Sequence, residues 1–113
     1  MKTMTVIGLA ASALFLASPV ARAASADENW AQYCAKCHGK DGAAHSKMAH
    51  RLGVKDLTDA AYQKSFTDLQ LFSHLKTGET GSDGKVKMNP FGDKLTDDET
   101  KALVGFVRAL APK

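Results

Sequence analysis

The sequence predicts an all-α fold of three to four short helices, and three observations predict it. Capping-box patterns stand at Ser25-Ala-Asp-Glu28, Thr67-Asp-Leu-Gln70 and Thr96-Asp-Asp-Glu99, each with a hydroxyl three residues before a Glu or Gln. Apolar residues recur at helical spacing after each of them. Nothing after the leader alternates like a strand.

The chain of 113 residues opens MKTMTVIGLAASALFLASPVARA. Lys2 is a short basic region, 6–20 is apolar and uncharged, and Ala21-Arg22-Ala23 is a small-x-small cleavage signal. Together they read as a secretory signal peptide over 1–23, cleaved after Ala23, with Ala24-Ser25-Ala26 as a second cleavage candidate. A retained membrane helix fits less well, because the run is rich in Ala and Ser and is broken by Pro19. The rest, 24–113, is one small domain. Lys2 and Arg22 fall in the leader, so of 15 Lys and Arg the domain keeps 13 against 12 Asp and Glu, a net charge of +1. That balance carries no nucleic-acid footprint. Once the leader is removed, no stable membrane insertion is expected.

The first helix starts at the Ser25 cap and is expected to stop at Gly39. Trp30, Tyr33, Cys34 and Cys37 fall on one face of it. A short helix is expected around Asp59 to Ser65. Another runs from about Asp68 to Lys76, with Leu69, Phe72 and Leu75 facing one way and Gly78 after its end. The last helix has acids at its positive end, the stripe Leu103, Phe106, Val107 and Leu110, and Arg108 near its negative end.

Both cysteines of the chain lie in Cys34-Ala-Lys-Cys37-His38-Gly39. A disulfide across two residues closes almost no loop and would stabilise little. A redox dithiol wants a βαβ pattern around it, and none is visible. A zinc site wants four ligands, usually in two separated pairs. The third chemistry is covalent attachment of c-type haem, whose signature is C-x-x-C-H. Two thiols on one helical turn match the spacing of the haem vinyl groups, and the histidine that follows faces the iron. An exported chain suits that chemistry. It also supplies a small domain with a core that its length would otherwise leave marginal.

One axial position then remains, with Met88, Met48, His45, His50 and His74 as candidates. Met88 lies in KVKMNPFGDKL, where Pro90 forbids helix and favours an extended backbone. Met48 stands four before Leu52, which suits packing on a helical turn.

The domain resembles small class I cytochromes c of the bacterial type. The resemblance is carried by Trp30-x-x-x-Cys34-Ala-Lys-Cys37-His38-Gly39-Lys-Asp-Gly42, Asp68-Leu-Gln-Leu-Phe72-Ser-His-Leu75-Lys-Thr-Gly78, Lys87-Met88-Asn-Pro90-Phe91, and the last helix. It implies a monohaem fold with Cys34 and Cys37 as thioether attachments, His38 as proximal ligand and Met88 as distal ligand. A bis-histidine site is the alternative. It also implies that the first and last helices cross near Ala26, Trp30, Leu103 and Phe106. Many members have a proline after the haem motif whose carbonyl accepts the second N–H of the proximal histidine. Between Gly39 and Asn89 this chain has none. A carbonyl of the 42–53 loop is expected to replace it.

The expected function is a soluble, periplasmic, monomeric single-electron carrier between redox proteins, with no catalysis of its own. A haem-based sensor, a peroxidase-like protein and a dedicated subunit of one enzyme are the alternatives. Lys36, Lys85 and Lys87 flank the segments where the resemblance puts an exposed haem edge, and they are the candidate docking surface.

Overall fold

The computed structural model describes residues 8, 10–12 and 24–112. The leader assigned to 1–23 lies almost wholly outside the described residues. No helix among the described residues is long and apolar enough to cross a membrane.

Five helices and one small hairpin make up the domain. The first helix, α1, covers 26–38 in three pieces: α-helical at Ala26–Asn29, π-helical at Trp30–Cys34 and α-helical again at Ala35–His38. The π turn is defined by the Ala35 N–H, which reaches back five residues to the Trp30 carbonyl. There follow α2 (Lys47–Leu52), α3 (Ala60–Gln63), α4 (Asp68–Thr77), β1 (Glu79–Thr80), β2 (Val86–Met88) and α5 (Asp97–Ala109).

Full capping boxes start α4 at Thr67 and α5 at Thr96. At Ser25 the box is half made. Its hydroxyl oxygen accepts from Glu28 N at 3.3 Å, and the Glu28 carboxylate takes the hydroxyl hydrogen rather than a backbone N–H. The Ser46 hydroxyl caps α2, accepting from Ala49 N at 3.0 Å. This is the helix by which the count exceeds three to four. The helix expected around 59–65 is α3, with Asp59 as its cap.

The hairpin was not expected. Its strands have two and three residues, too few for any alternation to show. They pair antiparallel, Glu79 opposite Met88 and Thr80 opposite Val86, with an irregularity between.

The core forms where α1 crosses α5. Trp30 and Phe106 ring centroids lie 5.0 Å apart, and Ala26 packs against the buried cluster that includes Leu103 and Val107. Asn29, 2 % exposed, donates from Nδ2 to Glu99 Oε2 at 3.1 Å across the crossing. The buried residues of α4 are Leu71 and Leu75; of the expected Leu69, Phe72 and Leu75, Leu75 is buried, Phe72 packs partly buried against the core, and Leu69 turns outward. Leu69 is 73 % exposed. Residues 71 and 75 are one turn apart, whereas steps of three carry 69 round the cylinder away from 75.

Candidate haem site

Cys34, Cys37, His38 and Met88 line one cavity of about 600 Å³. α1 presents the first three, and β2 presents the fourth. Gly39, with φ +83°, ends α1 directly after His38. The Trp30 Nε1 donates to the Gly39 carbonyl at 3.1 Å, which ties that end back onto the helix. The Trp30 ring also packs on the His38 ring, with centroids 5.7 Å apart.

The two cysteines are not joined in a disulfide. Burial, and then the neighbouring Cys37, push the Cys34 thiol up to about 11. It is therefore held protonated, the opposite of an activated redox thiolate. Burial first, and His74 second, lower the His38 imidazole from its ordinary value. Both effects favour the neutral ring, the form that binds metal.

The second nitrogen of that ring departs from expectation. No carbonyl of the 42–53 loop reaches it, and Nδ1 is buried without a hydrogen-bond partner. The Gly42 carbonyl is engaged instead by Leu57 N at 2.9 Å. The loop is nevertheless held against α1, since Ala44, in the left-handed region at φ 58°, donates its N–H to the His38 carbonyl at 3.0 Å.

Met88 is fixed from behind. Phe91 N donates to Leu75 O at 3.0 Å and Gly92 N to Lys76 O at 3.2 Å, so the chain after Met88 is bound to the end of α4. Gly78 adopts φ +70°, and a Cβ there would overlap the Met88 carbonyl and lie 2.7 Å from Pro90 N. The Met88 segment therefore lies directly on the backbone of Gly78.

Of the other candidate ligands, His74 and Met48 line the cavity, while His45 and His50 do not. Met48 Sδ lies 3.9 Å from Cys37 Sγ. It sits on α2, as its spacing to Leu52 implied, but is 44 % exposed. Lys36 and Lys87 line the cavity with Lys55, which the sequence reading passed over, and Lys85 does not. Leu57, Tyr62 and Phe66 also form walls that the sequence reading did not single out. The signal for the last two was their spacing of four residues.

The volume falls within the range of cofactor sites. Two thiols on one turn, an imidazole with an unpartnered buried nitrogen and a thioether form a donor set that suits haem. Fold and site together define a small c-type haem protein. The comparisons agree. The family model described as cytochrome c oxidase, cbb3-type, subunit III matches residues 21–107. Among solved structures, the KustC0563 c-type cytochrome is similar at 30 % identity with a TM-score of 0.68, covering 79 % of this chain and 100 % of that one. A tyrosine-to-phenylalanine mutant of Kustc0563 is similar at 31 % identity and a TM-score of 0.65, covering 77 % and 99 %. No curated protein matches the chain. The chain belongs to the cytochrome c family that this model describes. It is a haem-based electron-transfer protein whose cofactor is covalently bound haem c.

Proposed function

We propose that the chain is a periplasmic single-electron carrier, with Cys34 and Cys37 attaching the haem and His38 and Met88 holding its iron. The observation that carries this reading is that these four side chains, from opposite ends of the domain sequence, line one cavity. When bound, the haem supplies a one-electron change at iron. Cys34 and Cys37 would hold the macrocycle by thioether bonds. His38 and Met88 would hold its iron, Met88 through a soft, uncharged sulfur that favours the ferrous form. Iron held by protein in this way would leave no open position for oxygen or peroxide, which supports electron transfer over catalysis.

Residues 1–23 act in this reading as the export signal. Cleavage after Ala23 would keep the Ser25 cap and the 3.4 Å bond from Asn29 Nδ2 to the Ala24 carbonyl, whereas cleavage after Ala26 would remove both. Lys36, Lys55 and Lys87, all at the cavity, form the docking rim for an acidic redox partner.

The test is a spectrum and redox titration of the purified holoprotein. A long-wavelength sulfur-to-iron band in the ferric form, lost in Met88→Ala, is expected, together with slow binding of carbon monoxide to the ferrous form. Rapid carbon monoxide binding without the band would favour the sensor or peroxidase-like reading. The family's description favours a second reading, in which the chain passes electrons as a subunit of an oxidase. Co-purification of an oxidase with the tagged chain would support it.

A further inference from the structure

Two histidines line the haem cavity, and they come from different walls. His38 ends α1, whereas His74 lies on α4. The wall that carries His74 also carries Met88. The two carbonyls that follow His74, of Leu75 and Lys76, accept from Phe91 N and Gly92 N, just past Met88. Glu79 pairs with Met88 across the hairpin, and its Oε2 lies 3.8 Å from His74 Nε2. That separation is beyond a hydrogen bond. The Glu79 side chain is 55 % exposed and that of His74 is 41 % exposed, so the imidazole is only loosely held.

We propose that His74 is a standby axial ligand, which takes the iron when Met88 leaves it. The proposal rests on Met88 being the resting ligand. In the exchange the iron–sulfur bond would break and a His74 ring nitrogen would form an iron–nitrogen bond with its lone pair. No electron is transferred. Replacing a thioether by an imidazole lowers the reduction potential. One scaffold would then set two reduction potentials for the site, selected by whether the Met88 strand is seated on Gly78.

The experiment compares wild type, Met88→Ala and Met88→Ala/His74→Phe, each confirmed as covalently loaded by haem staining. Spin state is read by electron paramagnetic resonance and near-infrared magnetic circular dichroism, and open coordination by carbon monoxide binding. Met88→Ala is expected to stay six-coordinate and low-spin with a bis-imidazole signature, to have a lower potential, and to bind carbon monoxide slowly. The double variant is expected to be high-spin and to bind it rapidly. Should Met88→Ala fail to fold, Met88→Leu preserves the volume and answers the same question. A high-spin Met88 variant indistinguishable from the double variant overturns the standby role alone, provided the wild type has its sulfur band. A wild type without that band overturns the reading of Met88 as resting ligand, and this proposal with it.

Discussion

The contact between Gly78 and the backbone of Met88 to Pro90 makes one glycine responsible for where a sulfur atom sits. Its conformation, φ +70° with ψ −166°, belongs to a region that side chains other than glycine rarely enter. A methyl group there would meet backbone, which cannot rotate away as a side chain would. Gly78→Ala is therefore expected to cost roughly 2–4 kcal/mol from backbone strain and overpacking together. It should also weaken or abolish the sulfur-to-iron band, which a urea titration followed in the visible spectrum would report for both effects. The four cavity residues Cys34, Cys37, His38 and Met88 could be singled out in the sequence because their chemistry is local: two thiols and an imidazole in five positions, and a methionine before Asn-Pro. Gly78 was legible only as a helix stop. Its closeness to Met88 depends on the hairpin, which no alternation announced. The unpartnered His38 Nδ1 was equally out of reach, since the fate of the Gly42 carbonyl depends on where Leu57 folds back.

Two of the polar contacts that join α5 to the rest are not revealed by its amphipathic stripe. The first is Arg108. Its Nε donates to Asp68 Oδ1 at 2.7 Å, its NH2 to the Phe66 carbonyl at 2.7 Å, and its NH1 to Gln63 Oε1 at 3.0 Å and to the Gln63 carbonyl. Gln63, 5 % exposed, donates in turn to the carbonyls of Leu57 and Val107 at 2.8 and 2.7 Å. Helix-dipole reasoning placed Arg108 correctly near the negative end but gave no hint of this hub, whose partners are 40 to 45 residues away. Lysine lacks the planar fork. Arg108→Lys is expected to lose about 1–3 kcal/mol in chemical denaturation, with the haem spectrum unchanged. The second contact is Glu99. The Thr96 N–H, and then Asn29, hold its carboxyl below the ordinary range. A carboxyl depressed in the folded state contributes stability above its unfolded value, and that contribution is lost as pH falls through the lowered folded value. Glu99→Gln should therefore give a shallower loss of stability on acidification below the ordinary glutamate range, read by circular dichroism of the two proteins against pH.

At the scale of the molecule, charge is nearly balanced, so any steering of partners must come from where the lysines sit rather than how many there are. Lys36, Lys55 and Lys87 share the cavity wall with Cys34, Cys37 and Met88, and Lys85 lies outside it. Changing the three to Gln is expected to slow bimolecular electron transfer to an acidic partner at least about tenfold at low salt, with convergence at high salt as screening sets in. Lys85→Gln should leave the rate unchanged. Stopped-flow rates across ionic strength check both. The sequence placed Lys36 and Lys87 at this rim because they adjoin the haem motif and Met88. It missed Lys55 because that residue comes to the cavity through the loop after α2. The π-helical turn at Trp30–Cys34 bears on the same scale. Ahead of it, Asn29 reaches Glu99 on α5, and Trp30 packs on Phe106. Behind it, Cys34, Cys37 and His38 face the cavity. The wide turn sets the rotational phase between these two ends of one rod. Each residue of an α-helix turns the chain by roughly 100°. Losing Ala31 or Gln32 would therefore keep every contact chemically available yet point one end of the rod away from its target. This stretch tolerates new letters far better than a new length.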